Sequence, residues 1–208
     1  MNLAEAIVAL RRDDVLEEVH QRVEQGESTL DIIGECRGGM VTVGDRFASG
    51  EFFLAELVLA GEIFKAVVAE LDPQVSTSVE ESRKRGTVLM ATPKGDIHDL
   101  GKGIVVTMFK AYGFEVHDLG VDVDPGLIVE KVRELRPQFV GLSALLTTAL
   151  GPMKQAAEAL LAEGLRDDCK LMIGGGVTTA FVREYVGADF QTTDVMEGVQ
   201  YCLSVAES

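Results

Sequence analysis

Residues 87–119 read TVLMATPKGDIHDLGKGIVVTMFKAYGFEVHDL. A short aliphatic run at 87–91 stops at Thr92-Pro93, and a loop with glycines and charges follows. Apolar residues then recur at helical spacing over 102–112, and a second short apolar run occupies 114–119. Strand, loop, helix and strand in that order make a βαβ unit, whose two strands must run parallel. Further strands are expected at 139–143, 170–173 and 188–190, separated by helices at 127–135, 152–162, 178–186 and 194–206. Because such crossovers are right-handed, the segment 87–208 is expected to form an α/β domain: an open, doubly wound, five-stranded parallel sheet of Rossmann or flavodoxin type. Ligands of these sheets sit beyond the carboxyl ends of the strands.

Toward the N-terminus the pattern changes. Residues 72–86, DPQVSTSVEESRKRG, are polar and open with Pro73 directly after a helical stretch, as expected of an interdomain linker and hinge. Before them every apolar pattern has helical period. Val15, Leu16, Val19 and Val23 share one face, Ser28-Thr29 offers an N-cap before Leu30, Ile32 and Ile33, and Phe53, Leu57, Ala60, Phe64, Val67 and Leu71 sustain a helix over 52–71. Helix breaks are expected at Gly26, Gly38-Gly39 and Gly50. Residues 1–86 thus read as a domain of four or five short helices packed as a bundle, plus the linker.

Composition narrows the function. A formal net charge of −15 on 208 residues would repel a phosphate backbone, so nucleic acid is not an expected partner. The one basic cluster, Arg83-Lys84-Arg85, reads as a solvated linker end. Cys36, Cys169 and Cys202 form no CxxC pair, and the first ten residues contain Glu5 and no leader-like charge pattern. No apolar run reaches the ~18 residues of a membrane span. A cytoplasmic chain with reduced thiols and no membrane partner is expected.

Three segments follow strands at the ligand edge. The first is 92–101, TPKGDIHDLG, in which His98 lies two residues after Asp96. A neutral imidazole is a common transition-metal ligand, and a carboxylate on its other nitrogen fixes the tautomer. One histidine does not close a structural zinc site, but it does suit a metal whose other positions a macrocycle fills. Gly101 would let the next helix start close to a bulky ligand. Taken alone, an Asp-x-His in a loop is more often a local turn with a satisfied histidine. The second segment, Ser143-Ala144-Leu145, offers a hydroxyl and an apolar wall. The third, Gly174-Gly175-Gly176, removes Cβ atoms at a strand end, which serves a flat ligand or a plain tight turn equally well. Together the three outline a slot between the third and fourth strands, suited to an extended ligand tail.

Asp96-x-His98-x-x-Gly101, Ser143-x-Leu145 and Gly174-Gly175 match in order and spacing the DxHxxG, SxL and GG signature of cobalamin-binding domains. The wider stretch GDIHDLGKGIV, residues 95–105, resembles the corrinoid proteins of methyltransferase systems and the cobalamin module of methionine synthase. The resemblance implies cobalamin, as methylcobalamin, cob(I)alamin or a related corrinoid, with His98 as lower axial ligand to cobalt in place of the cofactor's own base. Asp96 would be the partner of His98, and Ser143, Leu145, Gly174 and Gly175 would line the pocket for the displaced tail. Residues 43–54, VGDRFASGEFFL, resemble the family's helical cap, which implies that Phe47 and Leu54 lie over the upper corrin face. Both positions also fit an ordinary bundle core. Two departures stand out: residues 187–194 follow the family's last-strand pattern only loosely, and Ala55 stands where proline is frequent. His20 and His117 match no motif.

The implied role is a carrier with no catalytic residue of its own. It would shuttle methyl between a donor-specific methyltransferase and an acceptor methyltransferase, with a reductive activase as a further partner. The donor would be a methoxylated aromatic, methanol or a methylamine, and the acceptor tetrahydrofolate or a thiol. The alternative is a cobalamin-binding sensor or regulatory module, which would need an output segment that the sequence does not display. A receiver domain would need acidic neighbours for a phosphoacceptor where His98 and Lys94 stand, and a mutase small subunit would lack the helical cap.

Overall fold

The computed structural model describes residues 2–71 and 85–206. They form two compact units. One holds residues 2–71 together with Thr107–Gly113, and the other holds Arg85–Val106 together with residues 114–206. The expected linker therefore lies, apart from Arg85 and Gly86, outside the described residues, and so do Arg83 and Lys84 of the basic cluster.

The first unit contains helices α1 (Leu3–Val8), α2 (Arg12–Glu24), α3 (Thr29–Ala48) and α4 (Leu54–Glu70). Helix α1 is too short for periodicity to reveal. It is held by its Asn2 cap and by burial of Leu3 and Ile7. Gly26 and Gly50 stand just past the ends of α2 and α3 with φ of 76° and 77°, as a helix stop requires. The break expected at Gly38-Gly39 does not occur, since α3 runs straight through it. Tertiary packing overrides propensity here. A Cβ on Gly39 would come within 2.8 Å of the Ala4 carbonyl oxygen, so the glycine is the contact point that seats α1 against α3. Burial of Met40 and Val43 on the same helix stabilises what two adjacent glycines weaken.

The second unit is the expected α/β sheet. Its elements are β1 (Thr87–Ala91), α5 (Leu100–Ala111), β2 (Glu115–Asp118), α6 (Pro125–Leu135), β3 (Phe139–Ser143), a 3-10 turn (Thr147–Ala149), α7 (Leu150–Ala162), β4 (Lys170–Gly174), α8 (Ala180–Val186), β5 (Phe190–Thr192) and α9 (Val195–Ala206). The C-terminal half of α5 belongs to the first unit. All strand pairs are parallel, in the order β2-β1-β3-β4-β5. Strand β5 starts two residues later than its apolar run, at Phe190. Asp189 already faces β4: its N–H donates to the Leu171 carbonyl at 2.8 Å, while its carboxylate, in place of a backbone acceptor, takes the Leu171 N–H at 2.7 Å before the ladder begins.

Val88, Leu89, Met90 and Ala91 are buried in succession, as are Phe139, Val140 and Leu142, which fits strands covered on both faces. The chain starts at β1, moves out to β2 and returns past β1 to β3. The direction of winding therefore switches between β1 and β3, and this topology opens a crevice above their carboxyl ends. The loops after β1 and β3 carry the first two motif segments. Their positions follow from strand order alone.

Candidate functional site

The loop after β1 holds Asp96 with its side chain fully buried and His98 with its side chain 50% exposed. A buried carboxylate needs compensation, and Asp96 has four donors. Oδ1 accepts from the His98 backbone N–H at 3.0 Å and lies 2.7 Å from His98 Nδ1. Oδ2 accepts from the N–H groups of Leu145 at 2.6 Å and Leu146 at 2.9 Å. Burial disfavours its charge, yet the backbone donors and the imidazole outweigh that and hold the carboxyl at about 2. Asp96 is therefore ionised at neutral pH and only accepts. The proton of a neutral His98 ring is thereby fixed on Nδ1, and the lone pair on Nε2 points outward. Nε2 makes no hydrogen bond to any described residue.

Asp96 thus joins the first two motif segments. The third is joined by contact. Ser143 pairs with Gly174 across β3 and β4, and the Ala144 N–H donates to the Gly174 carbonyl at 2.9 Å. Gly175 has φ of 101°, and a Cβ there would lie 2.2 Å from the Ala144 carbonyl oxygen. A Cβ on Gly176 would meet Leu145 Cδ1 at 2.9 Å. Part of the glycine run therefore serves the protein's own backbone: at Gly175 the close neighbour is the β3 loop. The Ser143 hydroxyl finds no protein partner among the described residues and is half-buried at the strand end.

Around His98 the surface is apolar where a soluble loop is usually polar. Ile97 is 72% exposed and Leu100 70%, with Leu145 and Leu146 also exposed nearby in the same network. A Cβ on Gly101, in the first turn of α5, would meet nothing within 4 Å. The next residue, Lys102, is buried with its Nζ between both oxygens of Asp118, at 2.5 and 2.6 Å, and ties α5 to the end of β2. Among the described residues no cluster of three or more His, Cys, Asp or Glu could hold a metal ion by itself. A free imidazole nitrogen, an apolar collar, open space at Gly101 and an orphan hydroxyl fit a large planar group that brings its own metal.

Phe47 and Leu54 belong to the first unit. Phe47 is in the last turn of α3 and partly exposed, and Leu54 opens α4 at 49% exposure, so neither is core. Cys36, Cys169 and Cys202 are free and buried. Burial pushes Cys36 and Cys202 up to about 12, which makes them inert packing residues. His20 and His117 lie beside surface carboxylates away from the motif loops.

Sequence reasoning identified Leu145 for its side chain and overlooked its N–H, the neighbouring Leu146 N–H, and the Thr148 hydroxyl that donates to the Gly95 carbonyl at 3.2 Å. The two backbone donors have no side-chain signature, and only the expectation that a buried carboxylate must find partners could have located them; nothing in the sequence singled out Thr148.

Comparison with known proteins gives the chain's family. Residues 86–200 match the family model of the B12 binding domain, and residues 2–72 match a second model that is also described as a B12 binding domain. The chain is 38% identical over 197 residues to the dimethylamine corrinoid protein of Methanosarcina barkeri, covering 95% of this chain and 92% of that protein. A crystal structure of a cobalamin-binding protein from Desulfitobacterium hafniense DCB-2 is 40% identical, with a TM-score of 0.74 over 97% of this chain and 96% of that one. The methanol:cobalamin methyltransferase complex from Methanosarcina barkeri contains a chain of the same fold, with a TM-score of 0.84 and 23% identity over 100% of this chain and 79% of that one. No described helix is long and apolar enough to cross a membrane.

Proposed function

This chain belongs to the family of corrinoid proteins built from B12 binding domains, and on that premise we propose that it carries a methyl group on a cobalamin-type corrinoid held by His98. The observation that carries the reading is the free Nε2 of His98, whose ring is oriented by the buried Asp96 carboxylate. When bound, the corrinoid supplies a cobalt centre that accepts a methyl group and gives it up.

The protein's own residues bind, orient and shield. Asp96 holds the His98 proton on Nδ1 and so presents Nε2 as a ligand in place of the cofactor's base. Ser143, Leu145, Gly174 and Gly175 border the slot that would take the displaced tail, with the Ser143 hydroxyl free to bond it. Ile97, Leu100 and Leu146 offer apolar contact to a macrocycle, and Gly101 leaves room for its edge. Phe47 and Leu54, which the helical unit leaves outside its core, would cover the methyl-bearing face. A donor-specific methyltransferase and an acceptor methyltransferase are the proposed partners, with a reductive activase restoring the reduced state, and the cytoplasm is the proposed compartment. The name of the 38% identical relative makes a methylated amine the first donor to assay, ahead of methanol and a methoxylated aromatic.

Gly101→Val separates binding from folding. The new Cβ meets no described atom within 4 Å outside its own helix turn, and valine is no worse than glycine in a helix, so the midpoint of thermal unfolding should stay within about 3 °C of the parent. Affinity for hydroxocobalamin, measured by equilibrium dialysis, should fall about tenfold or more. Unchanged affinity would show that the space above Gly101 is not used.

A further inference from the structure

We infer that Asp122 is a positioning residue for the ligand loop, setting the aim of His98 by gripping the backbone on both sides of Asp96; the inference rests on the proposed ligation by His98. Asp122 lies in the loop after β2 and has φ of 55°, the left-handed conformation that few residues with a side chain adopt. There its Oδ1 accepts the Gly95 N–H at 2.8 Å, while its own N–H donates to the Asp96 carbonyl at 2.9 Å. One residue thus fixes the 94–95 peptide before Asp96 and the 96–97 peptide that leaves it.

Its neighbours extend the splint. The Lys94 N–H donates to the Val123 carbonyl at 2.9 Å, the Val123 N–H to Thr92 at 3.0 Å, and Lys94 Nζ reaches Asp124 at 3.0 Å. Pro93 and Val123 form an isolated parallel bridge that continues the β1–β2 pairing into the two loops. Asp96 in turn holds the backbone and ring of His98 through one oxygen. A shift of the 95–96 backbone therefore re-aims Nε2 directly. Asp122 is itself exposed, so removing its carboxylate disturbs alignment without opening the core.

Three proteins test this: Asp122→Gly, which suits the left-handed backbone but lacks the acceptor, Asp122→Asn, which keeps both, and His98→Ala as a reference. Two signals are read. One is the ratio of His-ligated to unligated corrinoid in the absorbance spectrum of protein loaded with hydroxocobalamin. The other is the imidazole 15N shift of His98 in cofactor-free protein. For Asp122→Gly the ratio should fall about tenfold, the low end for losing an outer partner of a metal ligand, and the ring should show mixed tautomers although the unfolding midpoint holds. Asp122→Asn should match the parent in both. A parent-like Asp122→Gly, or an Asp122→Asn as impaired as the glycine variant, overturns the inference. If the parent spectrum equals that of His98→Ala, the ligation reading itself fails, and Asp122 has no ligand to aim.

Discussion

Gly175→Ala should be among the most destabilising single substitutions in the α/β unit, with or without cofactor. The new Cβ would sit 2.2 Å from the Ala144 carbonyl oxygen and within 3.0 Å of the carbonyl carbon and nitrogen of the same residue. No side chain can swing away, because every neighbour is backbone. That backbone is also pinned: Ala144 donates to Gly174, and the next two N–H groups donate to Asp96. Relieving the clash therefore strips donors from a buried carboxylate. The φ of 101° adds a conformational cost that alanine bears and glycine does not. Together these should exceed about 3 kcal/mol, a large share of the roughly 5–15 kcal/mol that stabilises a domain. In a unit of this size the thermal midpoint of the cofactor-free protein should drop by about 10 °C or more. A midpoint within about 2 °C of the parent would mean that β3 and β4 are looser at their ends than the contacts require.

Asp96→Asn should damage stability and ligand presentation together. The carboxylate receives four bonds on two oxygens, and the amide has only one oxygen to offer. If the NH2 faces Leu145 and Leu146, two buried donors lose their acceptor. If it faces His98 instead, it donates to Nδ1, the ring proton moves to Nε2, and the nitrogen that should bind metal is capped. Each unsatisfied buried donor costs about 1–3 kcal/mol, so chemical denaturation of the cofactor-free variant should show a loss of roughly 2–4 kcal/mol. The pH dependence has a definite sign. The folded carboxyl titrates at about 2 against an ordinary 3.8, so its contribution is complete above 3.8 and fades as pH falls toward 2. The gap between parent and variant should narrow over that window. A gap that widened on acidification would contradict the assignment of the carboxylate as an ionised acceptor.

The parallel sheet was legible because the apolar period changes from helical to strand-like after the linker, and because each strand carries a glycine, proline or charge at its end. Four of the five strands lie where the sequence predicts them to within a residue or two. Strand β5 is displaced because Ala188 is apolar but Asp189 is already engaged with Leu171. The helical unit was read less well at its glycines. Gly38 and Gly39 look like a stop by propensity, and only the presence of α1 against α3 explains why they are not. Helix α1 itself, six residues long, is too brief for any period to emerge.

At the site, the titratable and motif residues were recognisable by type and spacing. Their connection was not. That Asp96 bonds the β3 loop as well as His98 follows from strand order and burial, and that Asp122 grips the loop from outside follows from a left-handed turn that no pattern in the chain announces. Gly175 illustrates the same limit. Its spacing marked it correctly as a place where no Cβ fits, while the neighbour that excludes the Cβ proved to be protein.

The central claim is that His98 Nε2 is a metal ligand presented by Asp96. It is tested most directly by adding hydroxocobalamin to the parent and to His98→Ala and recording absorbance between pH 5 and 9. Without the His98 ring Asp96 still keeps three backbone donors, so removing it should cost the cofactor-free fold no more than about 3 kcal/mol, and the comparison is between two folded proteins. The account predicts that the parent gives the spectrum of a corrinoid bearing a protein imidazole in place of its own base, and that His98→Ala does not. Identical spectra from the two proteins across the whole range would contradict it.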